Sequence, residues 1–205
     1  MAKAGYIWRK LTTRQRENLM AWRKRQGLPW HRPPHQASEK TFYHISAACF
    51  EHQRHIGRSM KRMEEFCGTL LEVFRARNAL VHAWCVLPNH YHALIKTSEI
   101  LKVLAELGRM HGRISFQWNG EENRRGRQVW CGAAERYMRN EAHFWATMNY
   151  IHHNPVRHGY VEHWQDWLFS SAQEYLSEMG RDFAEKIWRH HPVLEYGKGW
   201  DDPGL

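Results

Sequence analysis

The sequence holds no C-x-x-C pair. Its four cysteines, Cys49, Cys67, Cys85 and Cys131, lie 18, 18 and 46 positions apart, which argues against a zinc finger and reads as reduced, mostly buried thiols of a cytoplasmic protein. No apolar stretch approaches the roughly 18–20 residues needed to cross a bilayer. No apolar segment follows Met1-Ala-Lys-Ala-Gly5 either, so neither a membrane span nor a secretory leader is expected. Internal repeats and low-complexity tracts are missing. Acidic residues are scarce at one end only: residues 1–40 hold two against ten Lys and Arg, whereas the other 165 residues hold 19 against 20. Nearly all of the net charge of +9 therefore sits in a basic N-terminal arm, as in a polyanion-binding protein, although a solvated tail would look the same. What is plentiful is Trp, with 11, and His, with 16; both stack on unpaired bases, although Trp more often fills a core.

At 205 residues, 42% hydrophobic and 25% charged, the chain fits one globular domain with extensions. From Thr12 or Thr13, candidate N-caps, to Gly27 it reads as a short basic helix. Residues 28–40, with Pro29, Pro33 and Pro34, read as an extended linker. Residues 1–40 are thus an N-terminal extension, 41–177 the compact domain, and 178–205 a C-terminal helix and tail. Within the domain, residues 41–49 are strand-like. Residues 59–79 place Met60, Met63, Phe66, Cys67, Leu70, Leu71 and Phe74 at helical spacing. Residues 80–87 suit a central strand, Pro88-Asn89 a turn and residues 90–96 a returning strand. A second helix is expected over 100–118 and a charged loop over 120–128. Short strands are expected at 129–130 and 135–138. Asn140 is placed to cap a third helix, 141–154, that Pro155 ends. A further helix is expected near 170–179. This order implies an α+β fold, an antiparallel sheet with helices packed on it, resembling a ferredoxin-like arrangement.

Two features carry chemistry. On a strand, His90 and His92 point to one face and Tyr91 to the other, with the two histidine Cα atoms about 6–7 Å apart. Such a pair can converge on one divalent metal; two surface histidines would give the same pattern. In the third helix, Phe144, Met148 and Ile151 form a core stripe, while Tyr150 and Asn154, four apart, share a neighbouring face. Two imidazoles and an amide oxygen could hold a metal that polarises a phosphoryl oxygen, and a nearby tyrosine could attack the phosphorus. Mixed nitrogen and oxygen donors suit Mg²⁺ or Mn²⁺, and Zn²⁺ would also fit.

In that combination the residues resemble a family. Leu87-Pro88-Asn89-His90-Tyr91-His92-Ala93-Leu94 is similar to the His-hydrophobe-His motif of the HUH single-strand endonucleases. Arg136-Tyr137-Met138-Arg139-Asn140-Glu141, Tyr150-Ile151-His152-His153-Asn154-Pro155-Val156-Arg157-His158-Gly159 and Asp166-Trp167-Leu168-Phe169-Ser170 resemble the later motifs of the REP-associated tyrosine transposases. The likeness runs in order over about residues 41–175. It implies a ferredoxin-like HUH domain that cuts single-stranded DNA near imperfect hairpins. By that resemblance Tyr150 is the nucleophile, giving a 5′-phosphotyrosine and a free 3′-hydroxyl. His90, His92 and Asn154 are ligands of a divalent metal, Mg²⁺ or Mn²⁺. Tyr160, beyond Pro155 and Gly159, is off the helix that would align it.

Arg136 and Arg139, within a family motif, are expected to contact DNA; Arg157 and His158 are candidates for the same role or for capping carbonyls near the helix end. Arg109 and Arg113 could track a backbone from one helix face. In the arm, Arg9, Arg23, Lys24 and Arg25 are read as phosphate contacts. His152 and His153 carry no assigned role, one being a candidate to support a metal ligand. The partner implied is single-stranded or hairpin DNA, with no membrane, and a monomer is expected rather than a homodimer. Three other readings compete: a domesticated hairpin-DNA-binding protein with little turnover, an RNA-binding ferredoxin-like module, and a nuclease using metal-bound water.

Overall fold

The computed structural model describes residues 12–14, Asn18, Ala21, residues 41–193 and Tyr196. Thr13, Arg14, Asn18 and Ala21 are helical and exposed; Arg9, Arg23, Lys24, Arg25 and the proline-containing linker lie outside the described residues.

Within residues 41–193, four strands and five α-helices follow in the order β1 (Phe42–Cys49), α1 (Met60–Ala76), β2 (Leu80–Leu87), β3 (His90–Lys96), α2 (Ile100–Glu121), β4 (Trp130–Tyr137), α3 (Glu141–Arg157), α4 (Ala172–Met179) and α5 (Arg181–His190). The sheet order is β2-β3-β1-β4, with every neighbouring pair antiparallel. This is the β-α-β-β-α-β ferredoxin-like topology, with β1 and β3 central.

Period-two alternation gives each sheet face its own core. Tyr43, Ile45, Tyr91, Ala93 and Ile95 pack beneath α1 and α2 with Phe66, Leu70, Phe74 and Leu107. Ala83, Cys85, Leu87 and Leu94 meet Met148, Tyr150 and Ile151 of α3, with Tyr175 and Ala184 behind them. None of the four cysteines is in a disulfide, and only Cys131 is not fully buried. Among the described residues no helix is long and apolar enough to cross a membrane.

The turn that launches β3 is clamped from outside. Cys49 N–H donates to the Asn89 carbonyl at 2.7 Å and Gly57 N–H to the Pro88 carbonyl at 2.9 Å. A Cβ on Gly57 would lie 2.3 Å from Pro88 Cβ, so that close approach requires glycine.

The structure departs from the sequence expectations in two places. β4 is one strand rather than two, because Gly132, at φ +91°, continues the strand past a register shift between Ala47 and Cys49. Pro155 does not end α3; the helix runs to Arg157 and closes in a Schellman turn. In that turn Gly159, at φ +70°, donates to Val156 and Tyr160 to Pro155, both at 2.9 Å. The proline sacrifices a single rung, its missing N–H to the Ile151 carbonyl. The helix expected within residues 178–205 is α5, which packs against α3 and α4.

Candidate active site

β3 delivers His90 and His92 to the α3 side of the sheet, 2% exposed each, with ring centroids 5.0 Å apart. α3 delivers Tyr150 and Asn154 to the same place. Its start is fixed by Asn140, whose side chain accepts from the His143 N–H at 2.8 Å. The Tyr150 ring lies edge-on to His92 at 5.2 Å and to His44 at 6.0 Å.

The hydrogen bonds define the donor set. Asn89 Nδ2 donates to the His52 carbonyl at 3.2 Å, so Asn89 Oδ1 faces His90 Nδ1, at 2.7 Å. An amide oxygen only accepts, so the His90 proton sits on Nδ1. Nε2 then presents its lone pair to Asn154 Oδ1, 3.0 Å away, and Asn154 Nδ2 is buried without a partner. Two acceptors at that distance need a second proton on His90, a turned amide or a cation between them. In an octahedron with bonds of about 2.1 Å, neighbouring ligand atoms lie about 3 Å apart, so the pair fits a divalent ion. His92 Nδ1 lies 3.1 Å from His44 Nε2, which fixes its ring. Among the described residues no group of three or more His, Cys, Asp or Glu side chains is arranged to hold a metal; the set here is two imidazoles and an amide.

Positive charge borders the tyrosine. Arg136, opposite His44 in the β1–β4 register, shares its face and is exposed at its edge; partial desolvation pulls its pKa below the usual arginine value. The Arg157 guanidinium lies 5.8 Å from the Tyr150 ring centroid, and the His158 ring 5.0 Å from that of His90. Arg139 sits just before α3 and donates its N–H to His143 Nδ1 at 3.2 Å.

Tyr150 is only 1% exposed, and Tyr196 lies against it, ring centroids 5.4 Å apart. His143 Nδ1 is occupied as an acceptor, so its Nε2–H donates to Tyr196 Oη at 3.2 Å. Thr147 donates to the His143 carbonyl, so Tyr196 donates to Thr147 Oγ1 at 2.6 Å. Arg157 donates to the Tyr196 carbonyl at 3.3 Å.

Other sequence candidates lie elsewhere. Arg109 and Arg113 are on α2, across the sheet, and both pair with Glu106. Tyr160 is near Trp167 and His158, beyond the end of α3. His152 and His153 are on another face of α3 and support no metal ligand: His152 Nε2 bonds Ser171 Oγ at 2.9 Å, and His153 packs on Trp188. Sequence reasoning missed His44, Asn89 and Tyr196. His44 was within reach, since alternation from Phe42 puts it on the His92 face; no local pattern marks Tyr196.

No family model matches the chain. A REP-associated tyrosine transposase of Haemophilus influenzae is 30% identical over 123 residues, 55% of this chain and 68% of the relative. The REP-associated tyrosine transposase of Escherichia coli is 29% identical over 110 residues, 50% of this chain and 59% of that relative. The fold is similar to that of a REP-associated tyrosine transposase solved bound to a REP hairpin. The TM-score is 0.52 and the identity 19%, covering 74% of this chain and 86% of the other. With this α+β HUH-type fold and the level of identity to the H. influenzae protein, the chain belongs to the REP-associated tyrosine transposases.

Proposed function

We propose that the chain is a metal-dependent single-stranded DNA endonuclease and strand transferase acting at hairpin-forming repeats. The observation that carries this reading is the meeting of His90, His92 and Asn154 with Tyr150 between β3 and α3, with Arg136 and Arg157 alongside. Mg²⁺ or Mn²⁺ held by His90, His92 and Asn154 would polarise a phosphoryl oxygen and offset transition-state charge. Tyr150 Oη attacks phosphorus, forming a Tyr–O–P bond and breaking the bond to the 3′ oxygen; the phenol's proton balances the one gained by the 3′-hydroxyl. The product, a 5′-phosphotyrosine, conserves the ester so that a strand can be rejoined by the reverse attack. Arg136 and Arg157 neutralise the approaching phosphate. His44 and Asn89 act on His92 and His90, holding ring orientation and proton position.

One observation favours a second reading, a hairpin-DNA binder with little turnover: Tyr150 is buried beneath Tyr196. A denaturing-gel assay separates the two. Labelled single-stranded hairpins from repeats flanking the gene are incubated with Mg²⁺ or Mn²⁺ and either wild type or Tyr150→Phe. The expected result is a covalent protein–DNA band, absent with the variant and with chelator. Tight binding without cleavage selects the binder, and cleavage that survives Tyr150→Phe selects hydrolysis by water.

A further inference from the structure

The face of α3 turned away from Tyr150 opens on a groove of about 430 Å³ bounded by α4 and α5. That volume falls within the roughly 300–1,000 Å³ of small-ligand sites. Its walls are aromatic: Trp164 lies parallel to His152, centroids 5.7 Å and planes 15° apart, and Trp188 packs on His153 at 5.1 Å. Tyr175 closes the inner side, its ring 5.1 Å from His152. Two polar atoms of these walls, Tyr175 Oη and His153 Nδ1, are buried without a hydrogen-bond partner. The rim carries Arg181, exposed and with no acceptor among the described residues, and Arg189, tied at 3.3 Å to Glu185. Flat apolar walls, unsatisfied ring-edge polar atoms and a free guanidinium at the mouth suit a planar heteroaromatic carrying an anionic group.

We propose that this groove is a second DNA subsite. It takes one unpaired nucleotide, the base stacking on Trp188 and the phosphate meeting Arg181. Stacking on tryptophan is available to every base, so the subsite distinguishes single-stranded from paired DNA rather than one sequence from another. The inference rests on the reading of the chain as a hairpin-DNA protein, but it concerns residues on a separate face of α3 from the candidate active site.

The test measures anisotropy of four labelled DNAs with the full chain: a hairpin with a single-stranded flank, the same hairpin with an abasic flank, a blunt hairpin, and unstructured oligo-dT. Loss of one base–aromatic stack corresponds to about tenfold weaker binding. Trp188→Ala is expected to show that loss on the flanked hairpin and on oligo-dT, with the blunt and abasic hairpins unchanged. Trp188→Phe should recover most of it, and circular dichroism with a thermal melt confirms that both variants fold. Arg181→Gln should weaken the same two DNAs and flatten their salt dependence. Equal losses on blunt and flanked hairpins, or no loss at all, would overturn the subsite while leaving hairpin binding intact. Trp188-dependent binding of oligo-dT by a chain that ignores hairpins would keep the subsite and sink the hairpin reading. Saturation of the groove by dTMP that DNA fails to displace, or no binding of any DNA, would overturn it too.

Discussion

Along β3, neighbouring residues serve two different environments. Tyr91, Ala93 and Ile95 enter a closed apolar layer under α1 and α2, where the phenol that β3 contributes is satisfied internally: Tyr91 Oη meets His111 Nε2 at 3.2 Å, and His111 stacks on Trp130 at 4.2 Å. Burial pushes the Tyr91 phenol far above its ordinary pKa. His90 and His92, on the other side, enter a layer interrupted by imidazoles, an amide and a second buried phenol. The first layer is what apolar burial builds when nothing else is asked of it. The second gives up apolar contact to bring lone pairs together, which folding alone does not reward.

The sharpest way to separate the two faces is to remove the same atom from each. Tyr150→Phe is expected to lower cleavage by at least about 10³-fold in the gel assay with little change in chemical-denaturation stability. A comparable loss, with hairpin binding by anisotropy retained, is expected for His90→Ala; binding that falls in step with cleavage would make His90 structural. On the other face, Phe74→Ala should cost about 3–5 kcal/mol in urea unfolding while the specific activity of the folded fraction stays normal. Smaller effects come from titration. Burial holds the His152 pKa at about 3 against an ordinary 6.5. Above pH 6.5 the ring is neutral whether folded or not. Below it, the unfolded chain binds a proton that the folded chain does not, so stability falls by up to about 1.4 kcal/mol per pH unit as pH drops toward 3. His152→Gln should flatten that slope in urea titrations between pH 7 and 5. Smallest is Tyr91→Phe, which leaves cleavage intact and costs about 1 kcal/mol through loss of the Tyr91–His111 hydrogen bond.

Much of this architecture is legible in the residue order, for identifiable reasons. β2 and β3 fall where alternation and the Pro88-Asn89 turn put them, and Asn140 caps α3 as its side chain suggests. Period two alone was enough to place His90 and His92 together and Tyr91 opposite. β4 was harder, because Gly132 mimics a break that the bulge against β1 absorbs. The His44–His92 contact joins residues 48 apart, and Tyr196 reaches Thr147 across 49; such partners are set by tertiary packing, which no local pattern encodes. α5 follows α4 directly, with Gly180 at φ +79° dividing the two helices. Most of the basic arm, the clearest feature of the charge arithmetic, lies outside the described residues.

Pro155 has a mechanical consequence. With no donor for the Ile151 carbonyl, α3 has lost one of the struts that make a helix behave as a rod. Tyr150 lies on the long segment before the gap, while Arg157 and the Schellman turn lie on the short one after it. A load applied at the basic end, where a phosphate would press under the proposed function, is therefore taken up by a compliant joint, and the stretch of helix that carries Tyr150 keeps its seat against the sheet.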